Sequence, residues 1–323
     1  MVNLLTSLSV GVQHVSCSGE SSIYIAAQLG RDDYLRQIFQ GFDVQMKKDH
    51  IPVLFHDYSL SESGTDVPIY DVTIHQFMHT STLQFPQHNP ERKDGYCEND
   101  EAHEPSHDIP RSRSLVIDHE GSEKQVLKPN TRGDFIQDTF ATLEEALSNI
   151  PEDVGFDLEI KYPRMHEALE AGIAPVSIEI NIFVDTILDK IASFGRGRNI
   201  ILSSLTPDIC ILLAIKQNAY PVIFITNAGK LPLSDKEKRA GSLQVAVRFA
   251  KQWGLAGVVT AADPLIMCPR LVEFIKSQGL ICRTYNGLNK EPANVEIQVK
   301  AGIDLIVVDR VGLIHKTLGN LSV

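Results

Sequence analysis

Gly41-Phe-Asp-Val-Gln-Met-Lys-Lys-Asp-His-Ile-Pro-Val-Leu-Phe-His-Asp57 is the stretch whose reading decides the fold of this chain. Residues 42–46 alternate and are rich in β-formers, Lys47, Lys48, Asp49 and His50 make a polar turn, and residues 53–55 are apolar. Folded about that turn, the two ends meet. Asp43 comes near Leu54 or Phe55, and Gly41 near His56 and Asp57. A second stretch of the same character is Gly155-Phe-Asp-Leu-Glu-Ile-Lys161. On a strand, side chains repeat every two residues, so Asp157, Glu159 and Lys161 share one face. Acids, a lysine and a histidine gathered at strand ends point to metal-assisted chemistry on a phosphate.

Working outward, helix and strand signals alternate from residue 142 onward. Thr142 opens a short helix over 143–149, with Glu145 placed as the capping-box acid. A strand follows at 155–160 and a long helix at 180–194. A strand covers 200–203, and Pro207 marks the start of the next helix. Strands are expected at 221–226, 256–260, 280–285 and 303–309, with helices at 242–253, 268–278 and 291–301 between them. Short apolar strands alternating with helices predict a parallel sheet covered on its faces. With the hairpin included, the strand count approaches a TIM-like (β/α)8 barrel. A doubly wound sheet is the alternative, weakened because no G-x-G-x-x-G turn follows any strand. In a barrel, functional groups gather where strands end. That adds Ser203, Ser204, Thr226, Asn227, Thr260, Tyr285, Asn286 and Asp309 to the candidates, most of them expected to be lining or capping groups.

The order Phe42-Asp43-Val44, His56-Asp57, Glu159-Ile160-Lys161 resembles the glycerophosphodiester phosphodiesterase family, and in particular the catalytic domain of fungal glycerophosphocholine phosphodiesterases that carry SPX and ankyrin modules. The resemblance implies hydrolysis of a small glycerophosphodiester to glycerol 3-phosphate and an alcohol. It implies Asp43 and Glu159 as ligands of a divalent cation, and Lys161 as a substrate-binding charge. It makes His56 the catalytic proton donor. Oxygen ligands suit Mg²⁺ or Ca²⁺. Two departures stand against that pattern. The first acid of the family's Glu-x-Asp is replaced by Gly41, and no His-Arg-Gly precedes residue 41. The expected barrel is therefore incomplete at its first strand, as in an internally deleted or misassembled gene. Activity is expected to be impaired, and a non-catalytic binding or scaffold module is the competing reading.

The segment before the hairpin, residues 1–40, is expected to be helical and not to replace the missing strand. Gly19-Glu-Ser-Ser-Ile-Tyr-Ile-Ala-Ala-Gln-Leu-Gly30 is similar to the opening of an ankyrin repeat, with residues 31–39 as its second helix. The alternative is a plain amphipathic helix. The phosphodiesterase domain is then 41–323, interrupted by a polar insertion at 80–135 that holds His88, His103, His107 and His119 and is expected to be solvated and partly disordered. Pro105 disfavours the helix that would make His103, His107 and Asp108 a metal site.

Composition bounds the function. The chain has 323 residues, 43% of them hydrophobic and 22% charged, enough for a sizeable core. Its net charge of −11 argues against nucleic-acid binding. Cys17, Cys97, Cys210, Cys268 and Cys282 are dispersed and odd in number, which fits reduced thiols. No membrane span is expected, and the N-terminus lacks the basic region of a signal peptide. These features together place the expectation in the cytoplasm.

Overall fold

The computed structural model describes residues 39–60, 67–83, 140–170, 172–174, 177–229 and 236–320, together with three strands at 23–26, 112–117 and 123–128. The strands are β1 (Ile23–Ala26), β2 (Phe39–Met46), β3 (Pro52–Leu54), β4 (Ser112–Ile117), β5 (Glu123–Lys128), β6 (Ala141–Thr142), β7 (Gly155–Ile160), β8 (Ile200–Ser204), β9 (Val222–Thr226), β10 (Gly257–Ala261), β11 (Ile281–Tyr285) and β12 (Leu305–Val308). The helices are α1 (Ile74–Leu83), α2 (Leu143–Asn149), α3 (Met165–Glu170), α4 (Ile180–Phe194), α5 (Pro207–Lys216), α6 (Leu243–Gln252), α7 (Ala262–Met267), α8 (Arg270–Ser277), α9 (Pro292–Lys300) and α10 (Val311–Asn320).

Ten strands form one sheet in the order β1-β12-β11-β10-β9-β8-β7-β2-β3-β6. The run from β2 through β7 to β12 is parallel throughout. Each parallel step from β7 onward is made by a chain segment carrying a helix, which is how neighbouring parallel strands must be joined. The α/β barrel architecture expected from the sequence is what these pairings build. Local chemistry agrees with it. Thr142 and Glu145 form the reciprocal capping box at the start of α2, and Pro207 sits in the first turn of α5.

Two expectations are corrected. Residues 23–26 are not helical. Ile23–Ala26 is a strand, antiparallel to β12 over four residue pairs and to β2 at Ile23↔Gln40 and Tyr24↔Phe39. It thus lies between the two outer strands of the parallel run, in the place the expectation left empty. The reason is physical. Ile23, Tyr24 and Ile25 are strong strand formers, and the flanking edges of β2 and β12 carry backbone groups that need partners. Phe39 and Gln40 likewise belong to β2, paired with Gly155 and Phe156, and not to a preceding helix. The remainder of the ankyrin-like segment, 1–22 and 27–38, lies outside the described residues. In the insertion, β4 and β5 form an antiparallel hairpin where a solvated, partly disordered stretch was expected. Leu115, Val116, Ile117, Val126 and Leu127 supply the strand propensity. His103, His107 and Asp108 lie outside the described residues.

Alternation divides the core. Phe156, Leu158, Ile160, Leu202, Phe224 and Val258 pack outward with the apolar faces of the helices. Phe39, Ile201, Ile223, Ile225 and Val259 fill the lumen. A third cluster of Val53, Phe55, Leu60, Ile69, Val72, Phe77 and Phe140 sits around the hairpin, with Phe77 and Phe140 stacked at 4.3 Å. Among the described residues, no helix is long and apolar enough to cross a membrane.

Candidate active site

The site is assembled by one register. β2 lies beside β7 with Asp43 opposite Glu159 and Gly41 opposite Asp157, and Lys161 N–H donates to the Val44 carbonyl at 2.9 Å just beyond the strand. Period-two alternation then turns Gly41, Asp43, Asp157 and Glu159 to the same interior. The Lys161 ammonium stands 3.8 Å from Asp43 Oδ1, with 8% of the lysine and 19% of the aspartate exposed. Lys161 also lies 5.3 Å from the ring of Tyr58.

The hairpin delivers the histidine. Phe55 N–H donates to Asp43 O at 3.0 Å, which fixes the start of the 55–57 loop against the acid. Gln45, buried on the same strand, donates through Nε2 to the carbonyls of Phe55 (2.7 Å), His56 (3.2 Å) and Asp57 (2.8 Å). Phe55 itself is anchored in the aromatic cluster, edge-on to Phe77 and Phe140. The loop carrying His56 is therefore held from both sides. His56 Nδ1 lies 2.8 Å from Asp57 Oδ1, and the imidazole keeps 49% of its surface open.

Charge and burial set the protonation states. Burial pushes the Glu159 carboxyl up to about 7, and Asp43 pushes the same way, while Lys161 and His56 pull it back. For Lys161, burial disfavours the charge, but Asp43, Glu159, Glu167 and Asp57 outweigh it, so the ammonium is held above its usual range. Lys161 is the largest influence on His56 and lowers it. The Asp57 hydrogen bond, Asp43 and the Asp57 charge act the other way, and the imidazole ends above its ordinary value.

A cavity of about 320 Å³ opens over these groups, within the range of small-molecule sites. Asp43, His56 and Glu159 all line it. Lys161 does not, and stands behind Asp43. Of the other strand-end candidates, Ser203, Tyr285, Asn286 and Asp309 also line the cavity. Asn227 instead accepts from the Tyr285 hydroxyl at 2.5 Å. Ser204, Thr226 and Thr260 are buried and bond backbone carbonyls of Ile160, Ala240 and Ala261. Several lining residues were not anticipated, and the one with most bearing on the chemistry is Arg283, ion-paired with Asp157. Its signal was an arginine in the middle of the strand Ile281-Cys-Arg-Thr-Tyr, where a parallel strand is otherwise apolar.

The donor chemistry bears on a cation. Among the described residues no group of three or more His, Cys, Asp or Glu side chains is placed to hold a metal. Asp43 and Glu159 are two neighbouring carboxylates, and the third position expected from the sequence is Gly41. Burial first, and then the neighbouring Asp43, raise the Glu159 carboxyl, and a cation between the two acids would offset both. The pair thus fits a hard divalent ion in its chemistry, with the remaining coordination falling to water and substrate oxygens.

Comparison with known proteins gives the family and the fold. The model of the glycerophosphoryl diester phosphodiesterase family matches residues 41–313. The chain is 35% identical to a glycerophosphocholine phosphodiesterase of Eremothecium gossypii over 98% of its own length and 25% of that protein. It is 40% identical to one of Schizosaccharomyces pombe over 85% of its length and 24% of that protein. The chain thus spans about a quarter of the length of these curated relatives. Among solved structures it resembles a phosphodiesterase of Oleispira antarctica in complex with the product sn-glycerol-3-phosphate, at TM-score 0.54 and 15% identity, covering 87% of this chain and 85% of that one. A glycerophosphodiester phosphodiesterase of Parabacteroides distasonis matches at TM-score 0.52 and 14% identity, covering 87% and 83%. These two likenesses show the shared fold.

Proposed function

Because the chain belongs to the glycerophosphoryl diester phosphodiesterase family, we propose that it hydrolyses glycerophosphodiesters of the glycerophosphocholine type to glycerol 3-phosphate and an alcohol, at a reduced rate. The observation that carries this reading is the convergence of Asp43, His56 and Glu159 on one cavity, with Lys161 behind them. Asp43 and Glu159 would hold a divalent ion such as Mg²⁺ or Ca²⁺. Bound there, the ion supplies charge neutralisation and polarisation of a phosphoryl oxygen.

The chain's own residues do the rest. Lys161 keeps a permanent positive charge beside Asp43, since its ammonium is held above the usual range. That charge lowers the cost of placing a phosphate over two carboxylates. His56 is bonded through Nδ1 to Asp57, which leaves Nε2 as the nitrogen for proton transfer. Its elevated pKa keeps the imidazolium populated near neutrality. In the net reaction a water oxygen bonds to phosphorus and the bond from phosphorus to the alcohol oxygen breaks. His56 gives its proton to that leaving oxygen, the attacking water loses a proton to solvent, and His56 is reprotonated from solvent. General acid catalysis of this kind contributes roughly 10²–10⁴ in rate. Gly41 removes one carboxylate from the cation's surroundings, which is why a low rate is proposed.

The test is release of glycerol phosphate from glycerophosphocholine by the purified chain in millimolar Mg²⁺ or Ca²⁺ and in EDTA. Slow release that stops in EDTA and in His56→Ala is the expected result. Release unaffected by both changes would remove the proposed roles of the cation and of His56. Binding of glycerol 3-phosphate without any turnover would favour a ligand-binding module, the reading that the Gly41 substitution supports.

A further inference from the structure

β7 and β11 face each other across the lumen. In the strand order, β8, β9 and β10 separate them on one side, and β2, β1 and β12 on the other. Asp157 on β7 and Arg283 on β11 nevertheless form an ion pair, through Arg283 Nη2 and Asp157 Oδ2. The pair therefore spans the barrel interior, and each side chain is only 2% exposed. Ser203 on β8 donates through Oγ to the other oxygen of Asp157 at 3.2 Å. All three residues line the cavity, with Ile225 and Val259 beside them.

A buried ion pair is seldom retained for stability alone, because desolvation offsets much of its attraction. The rest of the lumen is filled by Phe39, Ile201, Ile223, Ile225 and Val259. A polar floor in an apolar lumen, open to the substrate cavity, is a recognition surface. Its chemistry selects the ligand. Asp157 and Arg283 together carry no net charge, so the floor does not attract a second anion. The groups lining it are acceptor oxygens on Asp157 and Ser203 and N–H groups on Arg283, which together are the complement of a hydroxyl group. Asp157 lies two residues before Glu159 on β7, about 6.6 Å along the strand. That is about the distance from a phosphate to the far hydroxyl of a phosphorylated three-carbon polyol.

We propose that Asp157, Arg283 and Ser203 form a hydroxyl-recognising floor that binds the terminal hydroxyl of the glycerol unit while its phosphate lies against Asp43, Glu159 and His56. This rests on the function proposed above, and it adds the residues that distinguish a glyceryl phosphodiester from other alkyl phosphodiesters.

The experiment is calorimetric binding, in Mg²⁺ or Ca²⁺, of glycerol 3-phosphate, 2-hydroxypropyl phosphate (which lacks only the terminal hydroxyl) and inorganic phosphate. Wild-type protein should prefer glycerol 3-phosphate to 2-hydroxypropyl phosphate by roughly 10–100-fold, the worth of hydrogen bonds to charged groups. The paired variant Asp157→Leu/Arg283→Met removes both charges together and leaves no lone ion buried. It should lose the preference while binding inorganic phosphate within about twofold of wild type. Ser203→Ala leaves the ion pair in place and should cut the preference by roughly 3–10-fold. It carries the test if the paired variant does not fold. A preference that survives in whichever variant folds would reduce the pair to a structural strut and overturn the proposal. So would an equal loss for inorganic phosphate, or a wild type with no preference. Wild-type protein that binds none of the three ligands would remove the proposed function, and this subsite with it.

Discussion

Replacing Glu159 with glutamine should stabilise the cation-free protein, by an amount that grows as pH rises above about 4.3 and is complete above about 7. Glu159 is half-buried beside Asp43, and burial and that neighbour raise its carboxyl to about 7 in the folded chain. Unfolded, a glutamate titrates near 4.3. Below about pH 4 both states are protonated and the group contributes nothing. As pH rises from about 4.3 through 7, the unfolded chain ionises first. The folded state then holds the extra proton, and stability falls. The full shift corresponds to roughly 4 kcal/mol, and to about 2 kcal/mol once solvent screening of a half-buried carboxyl is included. Glutamine keeps the shape and removes the ionisation. The gap between Glu159→Gln and wild type should therefore grow from near zero at pH 4.5 to about 2 kcal/mol at pH 8. In a domain of this size that is roughly 4–8 °C in Tm. The assay is urea denaturation of both proteins in EDTA from pH 4.5 to 8. A variant no more stable than wild type at pH 8, or a gap that does not change with pH, would refute the reasoning.

Other consequences follow from single contacts. Gln45→Met removes the three hydrogen bonds that hold the 55–57 loop. It should lower kcat by about tenfold with little change in glycerol 3-phosphate affinity, and cost roughly 1–3 kcal/mol; a fall in affinity with kcat intact would argue against a role in aiming His56. His50 occupies the left-handed region at φ 60 in the hairpin turn, so His50→Gly should stabilise by up to about 1 kcal/mol in a denaturation curve. A Cβ on Gly257 would lie 2.4 Å from the Ile281 carbonyl oxygen on the neighbouring strand. Gly257→Ala should therefore cost roughly 1–3 kcal/mol, and unchanged stability would show that β10 and β11 are not so closely packed.

The parts of the fold legible in the sequence are those fixed by local chemistry. Thr142 with Glu145, Pro207, and the apolar runs at 200–203 and 221–226 each mark an element within a residue or two of its observed end. Helices α7 and α10 escaped because Pro264, Gly312 and Gly319 interrupt their patterns, although a proline in the first turn costs a helix little. β1 was misread because Ala26 and Ala27 suggest a helix. The unpaired edges of β2 and β12 that draw in Ile23–Ala26 are a tertiary effect. At the site, Asp43, Glu159 and Lys161 were legible because period-two spacing and a hairpin bring them together. Arg283 was not, because it meets Asp157 only when the barrel places strands 126 residues apart on opposite walls.

The activity proposed above is that of a phosphodiesterase limited by the carboxylate missing at residue 41. Gly41 lines the cavity and lies opposite Asp157 on the strand that carries Asp43. The most direct measurement is glycerol phosphate release from glycerophosphocholine by wild type and Gly41→Glu, side by side in Mg²⁺ or Ca²⁺. A further ligand carboxylate should raise the rate by roughly tenfold or more, an increment of about 1.4 kcal/mol in the barrier, and EDTA should abolish the gain. A wild-type rate that Gly41→Glu leaves unchanged or lowers, in correctly folded protein, would contradict the account.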